Sequence, residues 1–140
     1  MIVVTIIGMI AAIAMPAFSR ARMRSRASSE MTDLRTLESA FVMYAADNGD
    51  FPAPTWLPGV VPPGMDAYLH GNVWTKPAVA GGRYAWMQHA APNGPQQYVI
   101  SIMGADQDVM AIVDKAMDDG NEGTGKLQSM APSYVLIVDQ

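Results

Sequence analysis

The chain is 140 residues long, carries a net charge of −4, is half hydrophobic and contains no cysteine. That length allows one small domain plus a membrane anchor, and the missing cysteine excludes disulfide and thiol chemistry. Four arginines precede every acid, and from residue 30 onward thirteen acids face five bases; such a balance excludes nucleic-acid binding by the later part, because phosphate contacts need clustered positive charge.

The first element is Met1–Phe18, MIVVTIIGMIAAIAMPAF, an uncharged run with no polar face. At a rise of ~1.5 Å per residue it covers about 27 Å as a helix, just short of a hydrocarbon core. A buried helix of a soluble domain shows a polar face, and 140 residues leave little protein to wrap this one. Ala12-Ile13-Ala14 imitates a signal-peptidase site, but the basic stretch that a signal peptide needs before its apolar run is absent. The run is therefore expected to be a retained membrane helix. Pro16 is expected to kink or locally melt it, which lipid tolerates only where other helices re-satisfy the backbone. Gly8, Ala11, Ala12 and Ala14 permit close helix approach, so packing against other copies or partners is expected.

Arg20, Arg22, Arg24 and Arg26 follow at alternate positions and form two opposite columns on a helix. They read as a collar at the lipid headgroups or as partners for acids of neighbouring subunits. By the positive-inside rule this collar would hold the following domain in the cytoplasm, unless a stronger basic stretch precedes Met1.

From Ala27 the same helix turns amphipathic, with Ala27, Met31, Leu34, Leu37, Phe41 and Tyr44 on one stripe. Arg26–Glu30 and Arg35–Glu38 are spaced to pair on the exposed side. Asn48-Gly49 stops the helix, and Pro52 and Pro54 confirm the end.

The apolar run, the stripe and then Tyr44-Ala-Ala-Asp47-Asn48-Gly49-Asp-Phe-Pro52 together resemble a type IV pilin-like protein, most similar to the pseudopilins of type II secretion systems. The resemblance is carried by residues 1–52. It implies a pilin-like α+β fold, with a long N-terminal helix packed on a small antiparallel sheet with one additional short helix. It also implies a non-enzymatic subunit, single-pass in the bacterial inner membrane before assembly. Its globular domain would lie in the periplasm or on an extracellular filament. The implied partners are copies of itself, other pseudopilins or pilins, an inner-membrane assembly platform and membrane lipid. Mature subunits of the family begin with a methylated aromatic residue and a short apolar stretch containing a glutamate, after a basic leader ending in glycine. That material would lie before Met1, so only Gly8, Pro16 and the apolar run carry over.

Four segments result: a membrane or filament-core half, 1–18; an amphipathic half, 19–48; a Pro/Gly-rich connection, 49–81; and a sheet region, 82–140, that forms the globular domain with 27–48. Prolines at 52, 54, 58, 62, 63 and 77 exclude a central strand or long helix from the connection. Trp56, Leu57, Tyr68 and Trp74 are expected to tack it down, and 66–69 to form a short turn. Strands are predicted over Arg83–His89, with Tyr84 and Trp86 on one face, and over Tyr98–Met103, joined by a turn at 91–95. A helix is predicted over Asp106–Asp118, capped at Ala105-Asp106, with Val109, Met110, Val113 and Met117 on its apolar side. A loop at 118–125 and a final strand, Ser133–Asp139, complete the chain.

Asp118, Asp119, Asn121 and Glu122 offer oxygens in a glycine-rich loop and form the candidate calcium set, although the spacing departs from the EF-hand. A solvated helix exit explains the same residues, and no other cofactor is expected. His70 and His89 stand alone, Ser101 lacks a nucleophile-elbow context, and no catalytic constellation is present. The leading function is a structural filament subunit. The alternative is a membrane-anchored extracytoplasmic binding module that uses the aromatic loop.

Overall fold

The computed structural model describes residues 2–90 and 95–138. Helix α1 runs from Ile2 to Asn48 as one 47-residue element. It continues through Pro16 without a break, so the expected melted turn is absent. The proline deletes a single N–H, and the surrounding turns hold the helix. The C-terminal stop is as expected: Gly49 takes φ 82° and its N–H reaches the Ala45 carbonyl at 2.8 Å. Glycine adopts that left-handed conformation without the steric cost borne by other residues.

Four strands form one antiparallel sheet in the order β1-β2-β4-β3. Strand β1 (Arg83–Ala90) pairs with β2 (Gln96–Met103) from Arg83↔Met103 to Ala90↔Gln96. The connecting turn expected at 91–95 lies outside the described residues except for Pro95. Helix α2 (Gln107–Met117) returns the chain to β3 (Leu127–Met130) and β4 (Ser133–Ile137). Asp106 caps α2 as expected, accepting from the Asp108 N–H at 3.2 Å. The Asp139 end of the expected last strand also lies outside the described residues. Strand β3 was not predicted, because LQSM offers only four residues and no clean alternation; its pairing with β4 creates it.

The core lies between the sheet and the amphipathic half of α1. Ala27, Leu34, Leu37 and Phe41 are buried there, facing Tyr84 and Trp86 of β1, Ile100 and Ile102 of β2, and Leu136 of β4. This is the 3.6-residue stripe of a helix meeting the two-residue alternation of strands. Phe41 stacks on Trp86 with ring centroids 3.9 Å apart, and Trp74 joins Phe41 at 5.4 Å. Val109, Met110 and Val113 of α2 complete the core.

The connection 49–81 is ordered by hydrogen bonds rather than by long elements. Its one regular piece is a 3-10 turn at Met65–Ala67. Thr55 and Trp56 donate to the Trp86 carbonyl and Gly59 donates to Tyr84, covering the free edge of β1. At Gly82 a Cβ would lie 2.0 Å from the Met103 carbonyl oxygen, so only glycine permits this entry into the sheet. Trp74 is buried and donates from its indole nitrogen to the Val60 carbonyl at 2.7 Å, and Tyr68 packs on Tyr44. Trp56 and Leu57 do not serve as tacks; they are 56% and 61% exposed. Backbone pairing to β1 fixes this stretch and turns both side chains outward.

Candidate functional site

None of the described residues in the first half of α1 is buried against the globular domain. Every large apolar side chain from Ile2 to Phe18 is more than half exposed, with Ile2 at 78% and Phe18 at 73%. Apart from the backbone of its own turn, no described residue lies within 4 Å of where a Cβ on Gly8 would stand. Ten such side chains, about two-thirds exposed on average and worth about 1.5–3 kcal/mol each when fully buried, represent on the order of 10–20 kcal/mol of transfer free energy left unsatisfied. That equals or exceeds the stability of a typical domain, about 5–15 kcal/mol, so this surface needs an apolar partner. Gly8, Ala12 and Pro16 share the exposed surface, while Ala11 is half-buried.

The collar divides. Arg20, Arg22 and Arg24 are exposed, and among the described residues neither salt bridge involves them. Arg26 is half-buried instead: its guanidinium pairs with Asp106 at 3.0 Å and its Nε donates to the Val79 carbonyl at 3.2 Å. It therefore belongs to the globular domain, and Asp106 holds it while capping α2. The expected Arg26–Glu30 pair does not form. Glu30 is fully buried, accepting from the Tyr84 hydroxyl at 2.6 Å and the Ala80 N–H at 2.7 Å. The Arg35–Glu38 pair does not form either, since Glu38 bonds Lys126 across to the β3 end of the domain. Burial raises the Glu30 carboxyl above its ordinary value, partly offset by the Tyr84 and Ala80 hydrogen bonds.

The helix-end motif forms a latch. The Asp47 carboxylate accepts from the Tyr68 hydroxyl at 2.9 Å, and Tyr44 meets the Tyr68 ring edge-on at 5.4 Å. Asn48 donates back to the Tyr44 carbonyl, and buried Pro52 accepts from the Trp86 indole at 2.8 Å. These residues fix where the chain leaves α1, tying the helix end to the connection and to β1.

The acidic loop is rearranged relative to its expected ligand set. Three carboxylates, from Asp114, Asp118 and Asp119, place one oxygen each within 4.8 Å of one another. Asp118 accepts from the Lys126 and Leu127 N–H groups; Asp119 accepts from the Asn121 N–H and the Thr124 hydroxyl. The Asn121 side chain is committed to the Gly123 N–H, and Glu122 lies outside the grouping. Asp114, which the sequence reading missed, is 1% exposed and neither of its oxygens has a hydrogen-bond partner. Burial first, then the neighbouring Asp118, Asp119 and Glu122 charges, raises its carboxyl above the ordinary value. A buried carboxylate with no donor, aimed among two others, fits a hard oxygen-seeking cation such as calcium.

His70 and His89 are exposed, in the connection and near the end of β1. Ser101 is buried under the outer face of the sheet with its hydroxyl unpartnered.

A long N-terminal helix, half exposed and half cradled by a four-stranded antiparallel sheet with one short helix, defines the type IV pilin fold. The structure is similar to that of the major type IV pilin PilA1 from Clostridium difficile, with a TM-score of 0.60 and 16% identity over 87% of this chain and 99% of that one. At that identity the likeness is one of fold. No family model and no curated protein sequence matches the chain.

Proposed function

We propose that this protein is a structural subunit of a filament of the type IV pilus or type II secretion pseudopilus kind. It would be held in the bacterial inner membrane by residues 1–18 and assembled by bundling those segments. The observation that carries this is the apolar half of α1, its large side chains all more than half exposed, on a domain of pilin fold. In lipid the segment is solvated by acyl chains; in a filament the same side chains meet other copies. The globular domain, with its acidic surface, coats the outside in the periplasm or on an extracellular fibre. Other pseudopilins or pilins and an assembly platform are the accompanying partners. The anchored binding-module alternative would rest on Trp56 and Leu57, because Trp74 and Tyr68 are committed to the fold. Calcium is the proposed ion for Asp114, Asp118 and Asp119, where it would tie α2 to the loop before β3.

The test uses the absence of cysteine. Single cysteines at Met9, Ala12 or Met15 in the full chain, oxidised in the membrane together with the assembly machinery, should yield disulfide-linked dimers, and a chain carrying two of these cysteines should yield a ladder of multimers. A chain that stays monomeric at all three positions would overturn the filament reading.

A further inference from the structure

Just beyond the uncharged apolar run of α1, a groove of about 490 Å³ runs between the two helices. Arg20, Met23 and Arg24 of α1 form one wall and Ile112, Lys115 and Ala116 of α2 form the other. Three cations and no acid line it, and neither ion pair among the described residues engages them. The floor is apolar. Such a combination suits a ligand with an anionic head and an aliphatic body.

Position selects the source of that ligand. Arg20 and Arg24 stand two and six residues beyond Phe18, about 3 and 9 Å along the helix axis at ~1.5 Å per residue. The headgroup layer on each side of a bilayer is about 5–8 Å deep, so when Phe18 marks the hydrocarbon boundary Arg20 lies within that layer and Arg24 at its outer edge. We propose that Arg20, Arg24 and Lys115 bind the headgroup phosphate of one anionic phospholipid, whose first methylenes lie over Met23, Ile112 and Ala116. The lipid thereby seats α2, and with it the globular domain, on the membrane surface. This rests on the proposed insertion of residues 1–18. It differs from a general arginine collar in needing Lys115, which is distant in sequence, and in not needing Arg22, which is equally charged but does not line the groove.

The full chain is reconstituted into phosphatidylcholine vesicles with phosphatidylglycerol titrated in, and amide exchange of 107–117 is followed. Exchange should slow as phosphatidylglycerol rises. Lys115→Gln and Arg24→Gln should each raise the phosphatidylglycerol fraction needed about five-fold, the equivalent of about 1 kcal/mol per basic residue at an anionic surface. Arg22→Gln, which removes only a share of the diffuse surface attraction, should shift the titration clearly less than either. Equal loss in Arg22→Gln, or no loss in Lys115→Gln, overturns the site and leaves only a diffuse collar. Slowing by inorganic phosphate in pure phosphatidylcholine overturns the lipid assignment in favour of a free anion. Flotation of the chain with the vesicles is scored separately: a chain that does not float defeats the membrane anchor itself, whereas one that floats without phosphatidylglycerol-dependent protection defeats this site alone.

Discussion

The Glu30 carboxylate and the Tyr84 hydroxyl meet at 2.6 Å inside the core, joining the long helix to the first strand with a charge-assisted bond. Glu30 also receives the Ala80 N–H, so one side chain fixes both the sheet and the turn that leads into it. Burial and the facing Glu30 charge push the Tyr84 hydroxyl upward, which keeps it a donor throughout the working pH range.

This pair predicts a pH dependence. The folded Glu30 carboxyl lies above its ordinary value of 4.5, so the native state holds its proton more readily than the unfolded chain. That contribution to stability is complete below the ordinary value and is lost as pH rises through the raised folded value. Glu30→Gln should flatten this part of the profile, measured by urea unfolding in detergent from acid to neutral pH. Asp33, also raised by burial, adds slope of the same sign, so the difference between wild type and variant is the quantity to read. Identical slopes would show that Glu30 does not titrate in this window. Glu30→Ala should cost more, about 2–6 kcal/mol, because two buried donors lose their acceptor at about 1–3 kcal/mol each.

The latch at the end of α1 gives a second prediction. Tyr68→Phe deletes the bond to Asp47 and keeps the ring contact with Tyr44; because that bond is exposed, it should lower the unfolding midpoint only slightly. Gly49→Ala forces a Cβ into φ 82° and should cost about 1 kcal/mol or more. Nothing lies within 4 Å of that Cβ, so the loss is purely conformational, and Gly49→Asn should recover part of it. Equal stability of the alanine and asparagine variants would contradict the left-handed cap.

The acidic cluster predicts a metal response. An ion that binds only the folded state at one hundred times its dissociation constant stabilises by about 2.7 kcal/mol. Thermal unfolding with calcium against chelator should show an upward shift that Asp114→Asn removes. Without calcium the same variant should be at least as stable as wild type, since a neutral amide replaces an unpaired buried carboxylate. A calcium shift unaltered in Asp114→Asn would place the ion elsewhere.

Much of this fold was legible because its signals are periodic. Leu34, Leu37 and Phe41 recur at helical spacing and are all buried, and Tyr84 and Trp86 alternate into the same core. What escaped were charges inside apolar patterns. Glu30 lies three residues after Ala27 and four before Leu34, on the stripe itself, and Asp114 follows Met110 by four on the apolar side of α2. Their positions signalled burial, but local pairing rules assigned Glu30 to Arg26. The true partners, Tyr84 and Ala80, are more than forty residues away and become neighbours only on folding. Strand β3 escaped for a related reason: LQSM is stabilised by β4 rather than by its own pattern.

The filament proposal is best separated from folding at Gly8. Beyond the backbone of its own turn, a Cβ there has no described atom within 4 Å. Gly8→Leu should therefore leave domain stability and membrane flotation unchanged, and in lipid it should insert at least as well. In a bundle of these helices the same side chain falls where small residues allow close approach, and overpacking costs about 1–3 kcal/mol at each contact. Because the contact repeats at every subunit, filament yield should drop by tenfold or more, scored by shearing and sedimentation. Pro16→Leu should reduce yield less, since α1 is already helical through Pro16 and the added side chain replaces one of similar bulk. Full yield from Gly8→Leu would mean that position 8 faces lipid or an open channel rather than a neighbouring helix, and close packing at that face would have to be abandoned.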